Sequence, residues 1–325
     1  GLILSSSKVL LNPSLGLYGA THTEPYPYLV FNGTRGSWDH GCMSTSIQLA
    51  DIAEKAAQAV SSYLVDAFEN PGSVVYKADF HDVVTAHDKA SQAKIAATIF
   101  DEAPSSLIVA EESSHLLTSS GTPRDPGPDD IVWYVDPIDG TSNFASGIDH
   151  WCVSIAAGRG GQIIAAVIHQ PTTGITYRAD ETGAYRNGVQ MSVLDVPIKR
   201  GVFATSYPSS RLGNESDALS FLRLIQSVRS VRRPGSTALE LAEVASGHLL
   251  GAYNRGTNPW DVAAGLLLVQ RAGGYYFGFD DDEAHLYTAD LVHARNYVGA
   301  GTKEAAAFCI EILGRPELAE QVHGR

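Results

Sequence analysis

Two apolar runs in this sequence stop at acids. Leu107-Ile108-Val109-Ala110 runs into Glu111-Glu112, and residues 131–135 run into Asp136-Pro137-Ile138-Asp139-Gly140-Thr141. Short continuous apolar runs bounded by turn residues read as strands buried on both faces. Such strands need helices packed against them, so the chain has to build a layered α/β or α+β sandwich with carboxylates at the ends of central strands. Other segments supply the layers. Ile47, Leu49, Ile52, Ala56, Val60, Leu64 and Phe68 recur at helical spacing and predict a helix over about 46–68. Further helices are predicted over 88–100, 215–230, 237–246, 260–271 and 302–313. Strands are predicted over 151–157, 162–169, 249–253 and 275–279, with a loop over 118–130 and a hairpin turn at Asn187-Gly188.

At 325 residues the chain exceeds what one core fills, about 250–300 residues, so two packed lobes or one large layered unit are expected. Residues 1–42 are rich in Gly, Pro, Ser and Tyr without helical period and read as an extension or an ordered arm. The 23 Lys and Arg against 36 Asp and Glu leave a net charge of −13. That balance disfavours nucleic acid, whose phosphates need clustered cations. It leaves open a phosphorylated substrate, because bound metal can reverse the local sign. No run reaches the roughly 20 apolar residues of a membrane span, so no membrane partner is expected. Cys42, Cys152 and Cys309 lack C-x-x-C spacing and read as reduced, structural thiols in a cytoplasmic setting.

Carboxylates set close together repel and call for a cation. Hard ions such as Mg²⁺ take oxygen ligands from carboxylates and backbone carbonyls. Pro137 fixes φ, so a sharp turn is expected to aim Asp136, Asp139 and the Ile138 carbonyl at one point. Gly140 permits close backbone approach, and Thr141, Ser142 and Asn143 read as a helix N-terminus suited to phosphate. A fourth acid, Asp261, heads an apolar helix closed by Gly273-Gly274. Singly, each has a plain reading: Asp261 as a cap, Glu111-Glu112 as solvated surface, Asp-Pro-x-Asp-Gly as a turn. Their joint occurrence carries the argument.

Asp136-Pro137-Ile138-Asp139-Gly140-Thr141 resembles the first signature of the inositol monophosphatase family, and Trp260-Asp261-Val262-Ala263-Ala264-Gly265 through Arg271-Ala272-Gly273-Gly274 resembles the second. Ala110-Glu111-Glu112-Ser113 is similar to the family's Gly-Glu-Glu-Ser element. Lys77, Asp82, Val84-Thr85-Ala86 and Asp88 match a fourth segment in order and spacing. The resemblance spans about residues 46–313. It implies a layered αβαβα sandwich of the inositol monophosphatase and fructose-1,6-bisphosphatase type, formed by a metal-binding α+β lobe over about 43–190 and an α/β lobe over about 191–325 that supplies Asp261. It implies hydrolysis of a small phosphate monoester by metal-activated water, two or three Mg²⁺ ions with Mn²⁺ as a substitute, inhibition by Li⁺, and a homodimer. By position, one ion is assigned to Glu111, Asp136 and the Ile138 carbonyl, and a second to Asp136, Asp139 and Asp261. A third lies near Glu111. Glu111 and the Asp88–Thr141 pair orient the attacking water. Gly140, Thr141, Ser142 and Lys77 hold phosphate; Asp82 reads as structural.

The resemblance also assigns the leaving alcohol to Asp139, to the loop Gly235-Ser236-Thr237 and to the residue seven before Asp261. Ser236 or Thr237 reads equally as a helix cap. The residue seven before Asp261 is Asn254, where inositol-hydrolysing members carry Glu, and Arg255 follows. Asn loses the charge, and Arg255 offers a cation to a second acidic group. The substrate classes are therefore a sugar, cyclitol or inositol phosphate, or alternatively histidinol phosphate, a bisphosphate or a 3′-phosphonucleotide. Gln270-Arg271 departs from the usual Glu without a functional account. A non-catalytic ligand-binding homologue is expected to lack a metal acid, and none is missing. A kinase would need a G-x-x-x-x-G-K loop, which the sequence lacks.

Overall fold

The structure, a computed structural model, describes residues 45–70, 74–76, 83–208 and 214–324. Lys77, Asp82 and residues 1–42, with Cys42 as their last, lie outside the described residues.

The first described element is α1 (Ser46–Glu69), capped by Thr45 and Gln48, each accepting the other's backbone N–H at 3.2 and 2.8 Å. β1 (Val74–Tyr76) and β2 (Val83–Thr85) pair antiparallel and lead into α2 (Ala86–Glu102). Then come β3 (Leu107–Ala110), β4 (Leu117–Thr118), β5 (Val132–Asp139) and the short α3 (Thr141–Ser146). β6 (Cys152–Arg159), β7 (Gln162–Gln170), β8 (Ile175–Asp180), β9 (Gly183–Arg186) and β10 (Val189–Gln190) complete an eight-stranded sheet in the order β10-β9-β8-β7-β6-β5-β3-β4. The rest of the chain runs β11 (Val202–Ala204), α4 (Glu215–Ser227), β12 (Ser230–Arg232), α5 (Thr237–Ala245), β13 (Gly251–Arg255), α6 (Pro259–Arg271), β14 (Tyr275–Phe279), β15 (Asn296–Ala300), α7 (Lys303–Ile312) and α8 (Pro316–Val322). Its strands form a second sheet, β12-β11-β13-β15-β14.

Three cores fill the four gaps between five layers, one of them running on both sides of the central helices. Leu49, Ala53, Val60 and Leu64 of α1 join Ile95 and Ile99 of α2 against Ile108, Trp133, Val135 and Val153. The opposite face of that sheet, with Val109, Val132 and Tyr134, meets α5 and α6, whose far side packs on Tyr276 and Tyr297 of the second sheet. Leu224, Ile310 and Leu318 cover that sheet's outer face over Phe203, Tyr253 and Val298. The order is therefore αβαβα. α6 lies between the sheets, and residues 262–269 are all buried, which explains a helix apolar all round. Gly265 permits this: a Cβ there would stand 2.4 Å from Leu241 Cβ on α5.

Several expectations need correction. The helix read over 215–230 stops at Ser227, because Val228 is extended and Ser230–Arg232 pairs parallel with β11. The sharp turn expected at Pro137 is a bulge inside β5. β8, β11, β15 and α8 were not legible as elements; three of the four are six residues or fewer. Among the described residues, no helix is long and apolar enough to cross a membrane. Cys152 and Cys309 are free and buried.

Candidate active site

The site is built where β5 leaves its sheet. Along β5, Asp136 faces Ser154 of β6 and Asp139 faces Cys152, so three steps on one strand oppose two on the other. In a regular strand, residues three apart point to opposite faces. The extra residue at Pro137-Ile138 cancels that parity and turns Asp139 to the side of Asp136. Asp136 Oδ1 accepts the Ile138 N–H at 3.0 Å, which fixes the bulge. Gly140 then takes φ +93°, with room for no side chain: a Cβ would lie 3.0 Å from the His150 carbonyl. α3 begins at the next residue, Thr141. Its hydroxyl lies 2.9 Å from the Ile138 carbonyl and 3.3 Å from Asp88 Oδ1.

α2 brings the second group of acids. Asp88 is fully buried, and one turn on, Gln92 Oε1 accepts the Glu112 N–H at 2.8 Å while Gln92 Nε2 donates to Ser113 Oγ at 2.8 Å. Gln92 thus pins the Glu111–Ser113 turn to the helix that carries Asp88. Asp88, Glu111 and Glu112 each place a carboxylate oxygen within 4.8 Å of the others. Sequence reasoning left Glu112 and Gln92 without a role; the one signal was Gln92's place four residues after Asp88, on one helical face.

Asp261 comes from α6. Its Oδ2 accepts the Asn258 N–H at 2.8 Å, so the acid caps its own helix. It also joins Asp136 and Asp139 in a cluster with the same 4.8 Å spread. Capping its own helix therefore leaves Asp261 within the same carboxylate cluster. Asp139 is anchored by the start of α5: Ala238 N–H donates to Asp139 Oδ2 at 2.9 Å, and Ser236 Oγ–H donates to the same oxygen. An acid at a helix N-terminus is favourable. Asn143 of α3 ties the same junction, with Nδ2 donating to the carbonyls of His150 and Pro234 at 2.8 and 2.7 Å.

Burial and mutual repulsion leave these acids unwilling to ionise. Burial first, then Glu111, Asp139, Asp261 and Asp88, push Asp136 well above the usual carboxylate range. Asp261 is pushed up by burial and by Asp139. Burial raises Asp139 to about 6 despite the hydrogen bonds from the α5 terminus. Oxygen-only donors with this unsatisfied repulsion suit hard divalent cations: the two clusters could each hold one, and the Ile138 carbonyl lies between the two Asp of β5.

The residues assigned to the alcohol are placed unevenly. Thr237, Asn254 and Arg255 line a cavity of about 200 Å³ together with Ser206, Tyr207, Gly256, Thr257 and Asp261. Gly235 precedes it at φ +83° beside the Asn143 amide. Ser236 is buried, caps α5 by accepting the Leu239 N–H at 3.3 Å, and spends its proton on Asp139. Arg255 donates to the Leu313 carbonyl, stands 3.7 Å from Asp281 and lies over the Tyr207 ring at 5.0 Å. Its guanidinium thus has protein partners on the outer face of the second sheet. Ser142 follows Thr141 in the first turn of α3 and is exposed. Gln270 and Arg271 are exposed at the end of α6, and nothing in the structure explains their departure.

The sequence model of the inositol monophosphatase family matches residues 47–314. The chain belongs to the inositol monophosphatase family. Nus factor SuhB of Escherichia coli (strain K12) is 33% identical over 248 residues, covering 75% of this chain and 90% of that protein. Inositol-1-monophosphatase of Rhizobium meliloti is 31% identical over 226 residues, covering 69% and 82%. The solved inositol monophosphatase of Anabaena (Nostoc) sp. PCC 7120 superposes with a TM-score of 0.67 at 29% identity, covering 84% of this chain and 98% of that one. As a member of the family the chain is a phosphomonoesterase with the αβαβα sandwich.

Proposed function

We propose that this family member hydrolyses a small phosphate monoester, a sugar, cyclitol or inositol phosphate, with Mg²⁺ as cofactor. The observation that carries the reading is the convergence of the buried Asp136 and Asp139 from β5 with the half-buried Asp261 from α6, more than 120 positions further along the chain, on one point. Asp136, Asp139 and Asp261 would hold one Mg²⁺, and Glu111 with Asp136 and the Ile138 carbonyl another; Asp88 and Glu112 give Glu111 the company a third would need. Bound Mg²⁺ supplies the positive charge that acidifies a water and offsets charge on the phosphoryl oxygens. This chain's residues do the rest. The N–H groups of Gly140 and Thr141 offer donors to phosphate oxygens, with Ser142 beside them and Lys77 proposed from its sequence position. Thr141, tied to Asp88, orients the attacking water, and Glu111 accepts its proton. The cavity bounded by Thr237, Asn254 and Asp261 receives the alcohol. The lobe over about 43–190 brings five acids and the lobe over about 191–325 brings Asp261 and the alcohol pocket. A homodimer and Li⁺ inhibition are proposed from family membership.

The name of the Escherichia coli relative, a Nus factor, supports a second reading: a chain retained for binding rather than turnover. The complete acid set favours catalysis, since clustered buried carboxylates cost stability without a cation. Phosphate release from a panel of monoesters, with Mg²⁺ and with EDTA, separates the two. The proposal expects Mg²⁺-dependent release that Asp136→Asn abolishes; undiminished turnover in that variant refutes it.

A further inference from the structure

One wall of the alcohol pocket is loop. Ser206 and Tyr207 follow the end of β11 and line the pocket together with Thr237, Thr257 and Asp261. Hydroxyl and carboxyl groups of this kind suit a hydroxylated alcohol. The N–H edge of the loop is fixed from inside. Asn254 Oδ1 accepts the Ser206 N–H at 2.5 Å, and Thr205 Oγ1 accepts the Tyr207 N–H at 3.0 Å. The second of these bonds curls the chain, as Ser and Thr hydroxyls do at turns.

In a strand successive carbonyls alternate in direction. Here the carbonyls of Ser206, Tyr207 and Pro208 converge on one guanidinium. Arg233 Nη2 donates to Ser206 and Pro208 at 2.8 and 3.0 Å, and Nη1 donates to Tyr207 at 3.1 Å. Three carbonyl oxygens facing one point repel one another, and a planar fork of five donors satisfies all three at once. The guanidinium also lies over the Phe221 ring of α4 at 5.5 Å. Arg233 itself is exposed and stands outside the pocket lining. It heads a short segment that reaches the rest of the site. The Pro234 carbonyl accepts from Asn143 of α3, Gly235 turns at φ +83°, and Ser236 donates to Asp139.

We propose that Arg233 is a positioning residue, which holds the Ser206–Tyr207 wall at a fixed distance from the metal acids and the Gly140–Thr141 turn, so that a bulky hydroxylated alcohol meets the wall while its phosphate is in place. The inference rests on the phosphatase reading above and deepens it. Arg233 acts through backbone carbonyls and touches no substrate. Its loss loosens the wall and leaves the acids where they are, because Asp139 and α3 are held by Ser236, Ala238 and Asn143. The effect is therefore selective for alcohols large enough to reach the wall.

The test is steady-state kinetics with Mg²⁺ on esters that share the phosphate and differ in reach. The bulky ester is whichever of inositol 1-phosphate and glucose 1-phosphate the wild type turns over faster. The small one is methyl phosphate, whose alcohol does not extend to the wall. Arg233→Met keeps a stem over Phe221 and removes every donor. Its KM for the bulky ester is expected to rise about tenfold with kcat little changed, while kcat/KM on methyl phosphate and inhibition by inorganic phosphate stay within about twofold. Arg233→Lys puts the charge on one point and cannot span three carbonyls. If the Met variant does not fold, the Lys variant is expected to move the same KM upward by about threefold. An unchanged KM for the bulky ester overturns the role of Arg233, and so does a loss shared equally by methyl phosphate, which marks general damage to the fold. A wild type that hydrolyses methyl phosphate and neither bulky ester overturns the assigned alcohol class, and this inference with it. Absence of Mg²⁺-dependent turnover of all three overturns the phosphatase reading itself.

Discussion

Replacing Asp139 by Asn is expected to stabilise the metal-free protein increasingly as pH rises. Asp139 is 6% exposed and raised from 3.8 to about 6 in the folded state. The sign follows from linkage: a raised acid binds more protons folded than unfolded, so its contribution to stability falls as pH climbs from the unfolded to the folded value. A shift of about 2 units at 1.36 kcal/mol each is about 3 kcal/mol in full, of which about 2 kcal/mol falls between pH 4 and pH 8. Asn removes that loss while keeping an oxygen for the Ser236 hydroxyl and the Ala238 N–H. His150 and His169, lowered by burial, gain stability over the lower part of the same range, but they are common to both proteins and cancel in the difference. Asp136, Asp261 and Glu240, each raised in part by the Asp139 charge, relax in the variant and add to its advantage in the same direction. Thermal melts in EDTA from pH 4 to 8 are expected to show the variant's Tm advancing on wild type by about 4 °C across the range. In Mg²⁺ the order is expected to invert, because Asn is the poorer ligand. A Tm difference independent of pH in EDTA refutes the strained-acid description of the site.

Three other outcomes follow from the geometry. Gly265→Ala puts a methyl group against Leu241 on α5 and is expected to cost about 1–3 kcal/mol in urea unfolding, with Mg²⁺ affinity changed through the displaced start of α6. Gly140→Ala forces a side chain at φ +93° against the His150 carbonyl, and phosphate release is expected to fall at least about tenfold in kcat. Gln92→Leu frees the Glu111–Ser113 turn from α2 and is expected to weaken metal binding by about 10–100-fold, as loss of a ligand's supporting hydrogen bonds does, read by calorimetry with the fold checked by circular dichroism.

The layer order could be read because its signals are local. The 46–68 periodicity, the buried runs before Glu111 and Asp136, and the all-apolar stretch after Asp261 each declare an element alone. The assembly could not. Asp139 reaches the side of Asp136 only through a bulge whose parity shows in the pairing with Ser154 and Cys152. Ser230–Arg232 is a strand because β11 is beside it, a partner some thirty residues earlier, while its own sequence continues a helical pattern. Asn254 reads as a substrate contact from its spacing to Asp261. Its commitment to Glu240, Tyr297 and Ser206 depends on three other elements meeting at β13.

The central claim, that acids from α2, the end of β3, β5 and the start of α6 fold into oxygen sites for divalent cations, is tested most directly by anomalous diffraction from crystals grown with Mn²⁺. The account expects one peak enclosed by Asp136, Asp139 and Asp261 and another beside Glu111, both absent from crystals of Asp136→Asn. Manganese found only at sites remote from these carboxylates contradicts it.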